Sequence, residues 1–183
     1  NGMLAKKQNV FDDFLACAKW LVEKKYTSTK KLAIEGGSNG GLLMGAALTQ
    51  APTQFKAVVS HVGYYDMLRY EQAANGVFNT TEYGSVKDEA AFKALRAYSP
   101  FHRVKDKTQY PATLMLTGKN DPRVEPFHSR KMVARLQASG TKQPVLLRTS
   151  DTGHGGGTPL QERINQTIDV YAFVFDALGV KVK

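Results

Sequence analysis

The sequence has 183 residues, 42% of them hydrophobic and 22% charged, and a formal net charge of +9. That is length enough for one domain with a sizeable core, the composition is that of a soluble globular protein, and no apolar run approaches a membrane span. The single cysteine, Cys17, excludes an internal disulfide, so stability does not depend on an oxidising compartment, and cytoplasm and periplasm both fit. Lys6-Lys7, Lys24-Lys25 and Lys30-Lys31 are pairs at helix ends and turns, as on a solvated basic face. With no arginine-rich arm and no base-reading motif, nucleic acid is not expected as a partner, nor is a membrane.

The chain opens NGMLAKKQ, which is neither a signal peptide nor a natural-looking start and reads as the middle of something longer. Apolar residues at Val10, Phe11, Phe14, Leu15, Ala18, Leu21 and Val22 predict a helix over 10–25, with Cys17 in its core. A turn over 26–30 leads to a strand over 31–35. Next comes Gly36-Gly37-Ser38-Asn39-Gly40-Gly41, followed by a helix over about 40–50 that stops at Pro52. As G-x-S-x-G between a strand and a helix, this reads as a nucleophile elbow, with serine at the apex of a strained turn. Cβ atoms two residues to either side of Ser38 are expected to clash, which accounts for the glycines. A plain glycine-rich strand-to-helix turn is the bland alternative. It is not a phosphate loop, because the Gly-Lys-Ser/Thr ending is missing.

Residues 55–61 read as a short buried strand. The stretch 62–104 is irregular and rich in aromatics (Tyr64, Tyr65, Tyr70, Phe78, Tyr83), with a helix over 88–97; such an excursion is a usual place for a substrate pocket. Strands over 111–117 and 143–149 flank a helix over 126–139. A glycine-rich loop over 150–159 carries His154, and a last helix over 160–178 ends at Gly179. Strands alternating with helices predict an α/β fold: a mostly parallel sheet flanked by helices on both faces, as one domain over 1–183.

Functional groups in such sheets gather at the carboxyl ends of strands. Ser38, Asp121 and His154 each follow a strand, in the order Ser, Asp, His of α/β-hydrolases. His154 would take the proton from Ser38, Asp121 would hold the imidazole, and the backbone N–H of Asn39 would supply an oxyanion donor. Each has a bland reading, Asp121 as a turn residue before Pro122 and His154 as a loop histidine; their joint order weighs against that. Asp151 competes as the acid but does not follow the third strand. No cluster of metal ligands or cofactor motif is present, so no metal and no cofactor is expected.

Several motifs go beyond generic chemistry: Lys7-Gln8-Asn9-Val10-Phe11-Asp12-Asp13-Phe14, Gly36-Gly37-Ser38-Asn39-Gly40-Gly41-Leu42-Leu43, Asp66-Met67-Leu68-Arg69, Glu82-Tyr83-Gly84, Tyr98-Ser99-Pro100, Asp121-Pro122-Arg123-Val124 and Gly153-His154-Gly155. Together they resemble the prolyl oligopeptidase family of serine peptidases, from about residue 7 to the C-terminus. The resemblance implies the triad Ser38, Asp121 and His154, Arg123 as anchor for a substrate carbonyl, and Asn39, Tyr83 and Val124 around the residue before the scissile bond. Three positions depart from the family pattern: Asn79 where a tryptophan is usual, Tyr64 where a small apolar residue is usual, and Glu125 where an apolar residue is usual. A pocket with Asn79 and Glu125 would be more polar, with Phe78 or Tyr64 as the aromatic platform, which leaves strict proline preference open.

The family also pairs its hydrolase domain with a β-propeller, and has earlier strands and an upstream tyrosine as second oxyanion donor; the chain is expected to be the C-terminal portion of such a catalytic domain. Losing one such donor typically costs about 10²–10³ in rate. The expected function is peptide hydrolysis through an acyl-enzyme, with a promiscuous carboxylesterase for small esters, or an inactive fragment that only folds or associates, as alternatives. The strand at 31–35 would have an open, apolar edge, so a homodimer or larger assembly covering it is expected.

Overall fold

In a computed structural model describing residues 1–155 and 158–181, four parallel strands line up in the order of the sequence: β1 (Ala33–Gly37), β2 (Ala57–His61), β3 (Ala112–Gly118) and β4 (Val145–Ser150). Ile34 lies opposite Val58, Val58 opposite Thr113, and Leu114 opposite Leu146. The inner strands β2 and β3 are buried almost throughout, the expected outcome for continuous apolar runs with helices on both faces. β1 runs two residues further than its apolar run suggested. Gly36 and Gly37 continue the ladder opposite Ser60 and His61, so pairing overrides the turn tendency of the glycines.

The helices follow their local signals. They are α1 (Gln8–Glu23), α2 (Asn39–Gln50), the short α3 (Thr80–Tyr83), α4 (Glu89–Tyr98), the short α5 (Pro100–Arg103), α6 (Phe127–Ala138) and α7 (Leu160–Leu178). Helix α2 ends at Gln50, two residues before Pro52, which disfavours helix at Ala51 preceding it. Asp88 caps α4 by accepting the Ala91 N–H at 2.7 Å, and Gly179 closes α7 in the left-handed conformation, φ 65°. Cys17 does not join the core. It sits about 100° round α1 from the buried Ala18, on the exposed side.

Strand alternation sorts the core into two layers. On one face Ile34, Val58 and Met115 pack with Met44 and Leu48 of α2, Ala18 of α1 and Met132, Val133 and Leu136 of α6. On the other, Val59, Leu114 and Leu116 meet Val170 of α7. A third cluster belongs to the excursion between β2 and β3, where Tyr64, Tyr70 and Tyr83 meet edge to face around Phe11, Leu42, Leu95 and Tyr98. Asp66, fully buried, ties this excursion to α6: its Oδ2 accepts from Arg69 at 3.1 Å and from Lys131. Burial pushes the Asp66 carboxyl up, but the hydrogen bond and charge of Lys131, with His102 and Arg69, hold it below the ordinary aspartate range.

β1 is an edge strand, as expected, although its outward residue is Glu35 and its apolar content is small. No helix among the described residues is long and apolar enough to cross a membrane.

Candidate active site

Ser38 occupies the bend between β1 and α2 with φ 59° and ψ −117°, a conformation that costs a non-glycine residue of order 1–3 kcal/mol and must be held from outside. Its N–H donates to His61 O at 2.9 Å, and its own carbonyl accepts from Gly41 N–H (2.9 Å) and Leu42 N–H (3.1 Å). The glycines do not share the work as the motif suggested. A Cβ on Gly36 would lie 2.7 Å from Gly40 O, and one on Gly41 would lie 2.6 Å from Gly63 Cα, but one on Gly40 would meet nothing within 4 Å. The close passage is between the first turn of α2 and the loop after β2, so Gly41 carries it.

Asp121 and His154 arrive from the loops after β3 and β4. These loops nearly touch at Gly118, where a Cβ would lie 2.2 Å from Gly153 O. The result is a chain of hydrogen bonds across three strand ends: Asp121 Oδ2 to His154 Nδ1 at 2.7 Å, and His154 Nε2 to Ser38 Oγ at 2.9 Å. The other carboxylate oxygen, Asp121 Oδ1, accepts the N–H groups of Arg123 (2.8 Å) and Val124 (3.0 Å). Burial raises the Asp121 carboxyl, but the His154 hydrogen bond and these two N–H groups outweigh it and hold the group below the usual aspartate range. An ionised carboxylate there favours a proton on His154 Nδ1 and leaves Nε2 as the acceptor for the serine hydroxyl. Asp151, the competing acid, points to solvent and pairs with Lys119 at 3.6 Å.

The remaining histidines are otherwise engaged. His61 meets Glu35 at 2.9 Å and His102 meets Ser99 Oγ at 2.8 Å. His128, buried, accepts the N–H groups of Tyr65 and Asp66 at Nδ1. Burial pushes it down to about 3, with Asp66 opposing and Lys131 assisting, so it stays neutral near pH 7.

Beside Ser38 lies a cavity of about 340 Å³ lined by Asn39, Tyr64, Asn75, Phe78, Asn79, Glu82, Tyr83, Arg123 and Val124. Of the residues singled out from the sequence as pocket-forming, Asn39, Tyr64, Phe78, Asn79, Tyr83, Arg123 and Val124 are brought together here, and Glu125 is not. Asn39 begins α2, so its backbone N–H has no partner inside the helix and is available at the elbow. Its side chain donates to Glu82 Oε1 (2.7 Å) and accepts from Tyr83 OH (3.1 Å). Asn79 donates to Tyr64 OH at 3.0 Å, and Tyr64 OH donates to Arg123 O at 2.9 Å. Chemically, the site offers a hydroxyl hydrogen-bonded to an imidazole, a free N–H beside it and a polar cleft alongside.

A sequence profile described as the prolyl oligopeptidase family matches residues 1–181. The chain belongs to the prolyl oligopeptidase family. It is 42% identical over 186 residues to the prolyl endopeptidase of Dictyostelium discoideum, covering 99% of this chain and 24% of that protein. It is 40% identical over 183 residues to the prolyl endopeptidase of Elizabethkingia miricola, covering 98% and 26%. A solved prolyl endopeptidase structure superposes with a TM-score of 0.96 at 48% identity, covering 98% of this chain and 27% of that one. A post-proline cleaving enzyme from Rickettsia typhi gives 0.94 at 35%, covering 99% and 26%. The chain thus spans about a quarter of the length of the curated relatives it matches, and its sheet and flanking helices are those of the α/β-hydrolase fold these peptidases share.

Within that family pattern the three departures resolve differently. Asn79 lines the cavity. Tyr64 lines the cleft but is buried among Tyr70, Tyr83 and His128, whereas Phe78 stands 78% exposed at the rim. Glu125, expected to make the pocket polar, is not among the lining residues. It turns away and accepts the Ala74 N–H at 3.1 Å. The polar lining is Asn79 together with Asn75 and Glu82, the last two not assigned to the pocket by sequence reasoning; Glu82 was visible only as the neighbour of Tyr83 in a prolyl oligopeptidase motif.

Proposed function

We propose that residues 1–183 form one domain equivalent to the C-terminal portion of a prolyl oligopeptidase-type catalytic domain, acting as a serine peptidase on short peptides. The observation that carries this reading is the unbroken Asp121–His154–Ser38 hydrogen-bond chain. His154 Nε2 takes the proton as Ser38 Oγ bonds to the substrate carbonyl carbon. The carbonyl oxygen becomes an oxyanion facing the Asn39 N–H, and the α2 N-terminus favours that charge. Collapse breaks the C–N bond, the amine leaves with the proton from His154, and water repeats the sequence on the acyl-enzyme. Arg123 would anchor a backbone carbonyl, with Asn39, Tyr64, Asn79, Tyr83 and Val124 around the side chain before the scissile bond.

A fluorophosphonate probe tests the reading. Labelling mapped to Ser38 by mass spectrometry, with turnover of a prolyl peptide, is the expected result. Turnover of p-nitrophenyl esters alone would make the protein an esterase, and no labelling would leave a fold without activity.

We further infer that the β1 edge is covered in solution by a second copy, as a homodimer or larger assembly. Ile164, Ile168 and Tyr171 stand exposed at helical spacing on α7, whose last turn reaches Lys31 just before β1 through Leu178 O at 2.6 Å. Sedimentation analysis is expected to give at least twice the chain mass; a monomer at working concentration counts against it.

A further inference from the structure

Lys7 is a buried lysine, 3% exposed, at a position that suits a lysine badly. It immediately precedes α1, where the helix dipole repels a cation, and no acidic residue in the first turn offsets it. Its partners lie far along the chain. The ammonium contacts Glu82 Oε1 at 2.5 Å and Asn39 Oδ1 at 3.3 Å, and stands 5.3 Å from the centroid of the Tyr83 ring. Glu82 Oε1 also accepts the Asn39 amide, while Tyr83 OH donates to Asn39 Oδ1. Both ends of the Asn39 side chain are therefore clamped, and the ammonium touches the carboxylate and the amide oxygen together.

Glu82 and Asn39 border the same cleft as Ser38. A carboxylate is an awkward neighbour for a site where negative charge develops, since like charges in a partly desolvated cleft repel strongly. It nonetheless supplies the acceptor that orients Asn39. We propose that Lys7 is a positioning residue for the reaction at Ser38: it cancels the charge of Glu82 beside the forming oxyanion and completes the clamp that holds Asn39, whose backbone N–H faces that oxyanion. The inference rests on the serine-hydrolase reading above.

The test is the second-order rate of Ser38 phosphonylation, in which a phosphonyl oxygen takes the oxyanion's place, together with kcat and KM on a p-nitrophenyl ester. Lys7→Met is expected to slow labelling about tenfold to a hundredfold, with the loss in kcat and little change in KM. Lys7→Met/Glu82→Gln, which removes the stranded carboxylate, is expected to recover to within a few-fold of wild type. Circular dichroism and Tm report folding for each variant. If Lys7→Met alone does not fold, Glu82→Gln is compared with the double variant, and the double variant is expected to be the slower for want of the cation. A Lys7→Met protein labelled at the wild-type rate, a double variant as slow as Lys7→Met, or equal rates in the fallback pair would overturn the inference while the serine reading stood. An unlabelled wild type would overturn both.

Discussion

Asp121→Asn is expected to lower kcat about 10⁴-fold while the protein still folds, with Tm somewhat reduced by loss of the ionised carboxylate. Two backbone donors, Arg123 N–H and Val124 N–H, already grip Oδ1. In the variant they retain the amide oxygen and turn the NH₂ group toward His154. A donor facing Nδ1 makes that nitrogen the acceptor and moves the imidazole proton to Nε2, where it points at Ser38 Oγ and can no longer receive the serine's proton. Asp151→Asn is the control. Among the described residues its carboxylate reaches only Lys119, at 3.6 Å, so its rate is expected to match wild type. Rates of ester turnover and phosphonylation for the two variants check the assignment. A large loss in Asp151→Asn with none in Asp121→Asn would reverse it. Because the Asp121 carboxyl lies below its ordinary value, it stays ionised through the neutral range. The stability it contributes is full above the unfolded pKa of about 4 and declines as the pH falls through the folded one.

The second large effect separates two adjacent glycines. Gly41→Ala places a methyl 2.6 Å from Gly63 Cα and 2.8 Å from His61 O, atoms of a backbone segment that cannot swing aside. Either the start of α2 or the loop after β2 must move. The expected cost is about 1–3 kcal/mol or more in stability. Displacing Ser38 and Asn39 by as little as about 1 Å adds a loss of roughly 10² in rate. Gly40→Ala meets no neighbour within 4 Å and exchanges a poor helix former for the best one, so a gain of about 0.5–1 kcal/mol is expected. Thermal unfolding with the labelling rate decides between them. Equal damage from both would mean that the first turn of α2 is tighter than its geometry indicates.

Much of the architecture was legible because its causes are local. The apolar runs at 55–61 and 111–117 needed no partner information to be read as strands, and the structure buries both almost throughout as β2 and β3. Gly179 marked the end of α7, and Pro52 the end of α2, from one or two residues. The elbow was equally readable, since a strained serine between a strand and a helix leaves its mark within six positions. Where the reading failed, the deciding neighbour was distant. Cys17 lies in an apolar helical stretch, yet α1 is rotated so that Phe11 and Ala18 face inward, and that rotation is set by α2 and the excursion. Glu125 adjoins Val124 in the sequence, but Ala74 N–H, about 50 residues away, draws it out of the pocket.

From its sequence alone this protein was bound to build a parallel α/β sheet with serine, aspartate and histidine each at a strand end, because periodicity and turn chemistry act over a few residues. Tertiary structure alone decided that Gly41 and not Gly40 carries the close contact, that Asn75 and Glu82 join Asn79 in the polar lining of the cleft, and that Lys7 reaches Asn39 and Glu82 across 32 and 75 positions of chain. Such meetings follow from strand register and from the path of the long excursion between β2 and β3, and neither leaves a trace in the spacing of neighbouring residues.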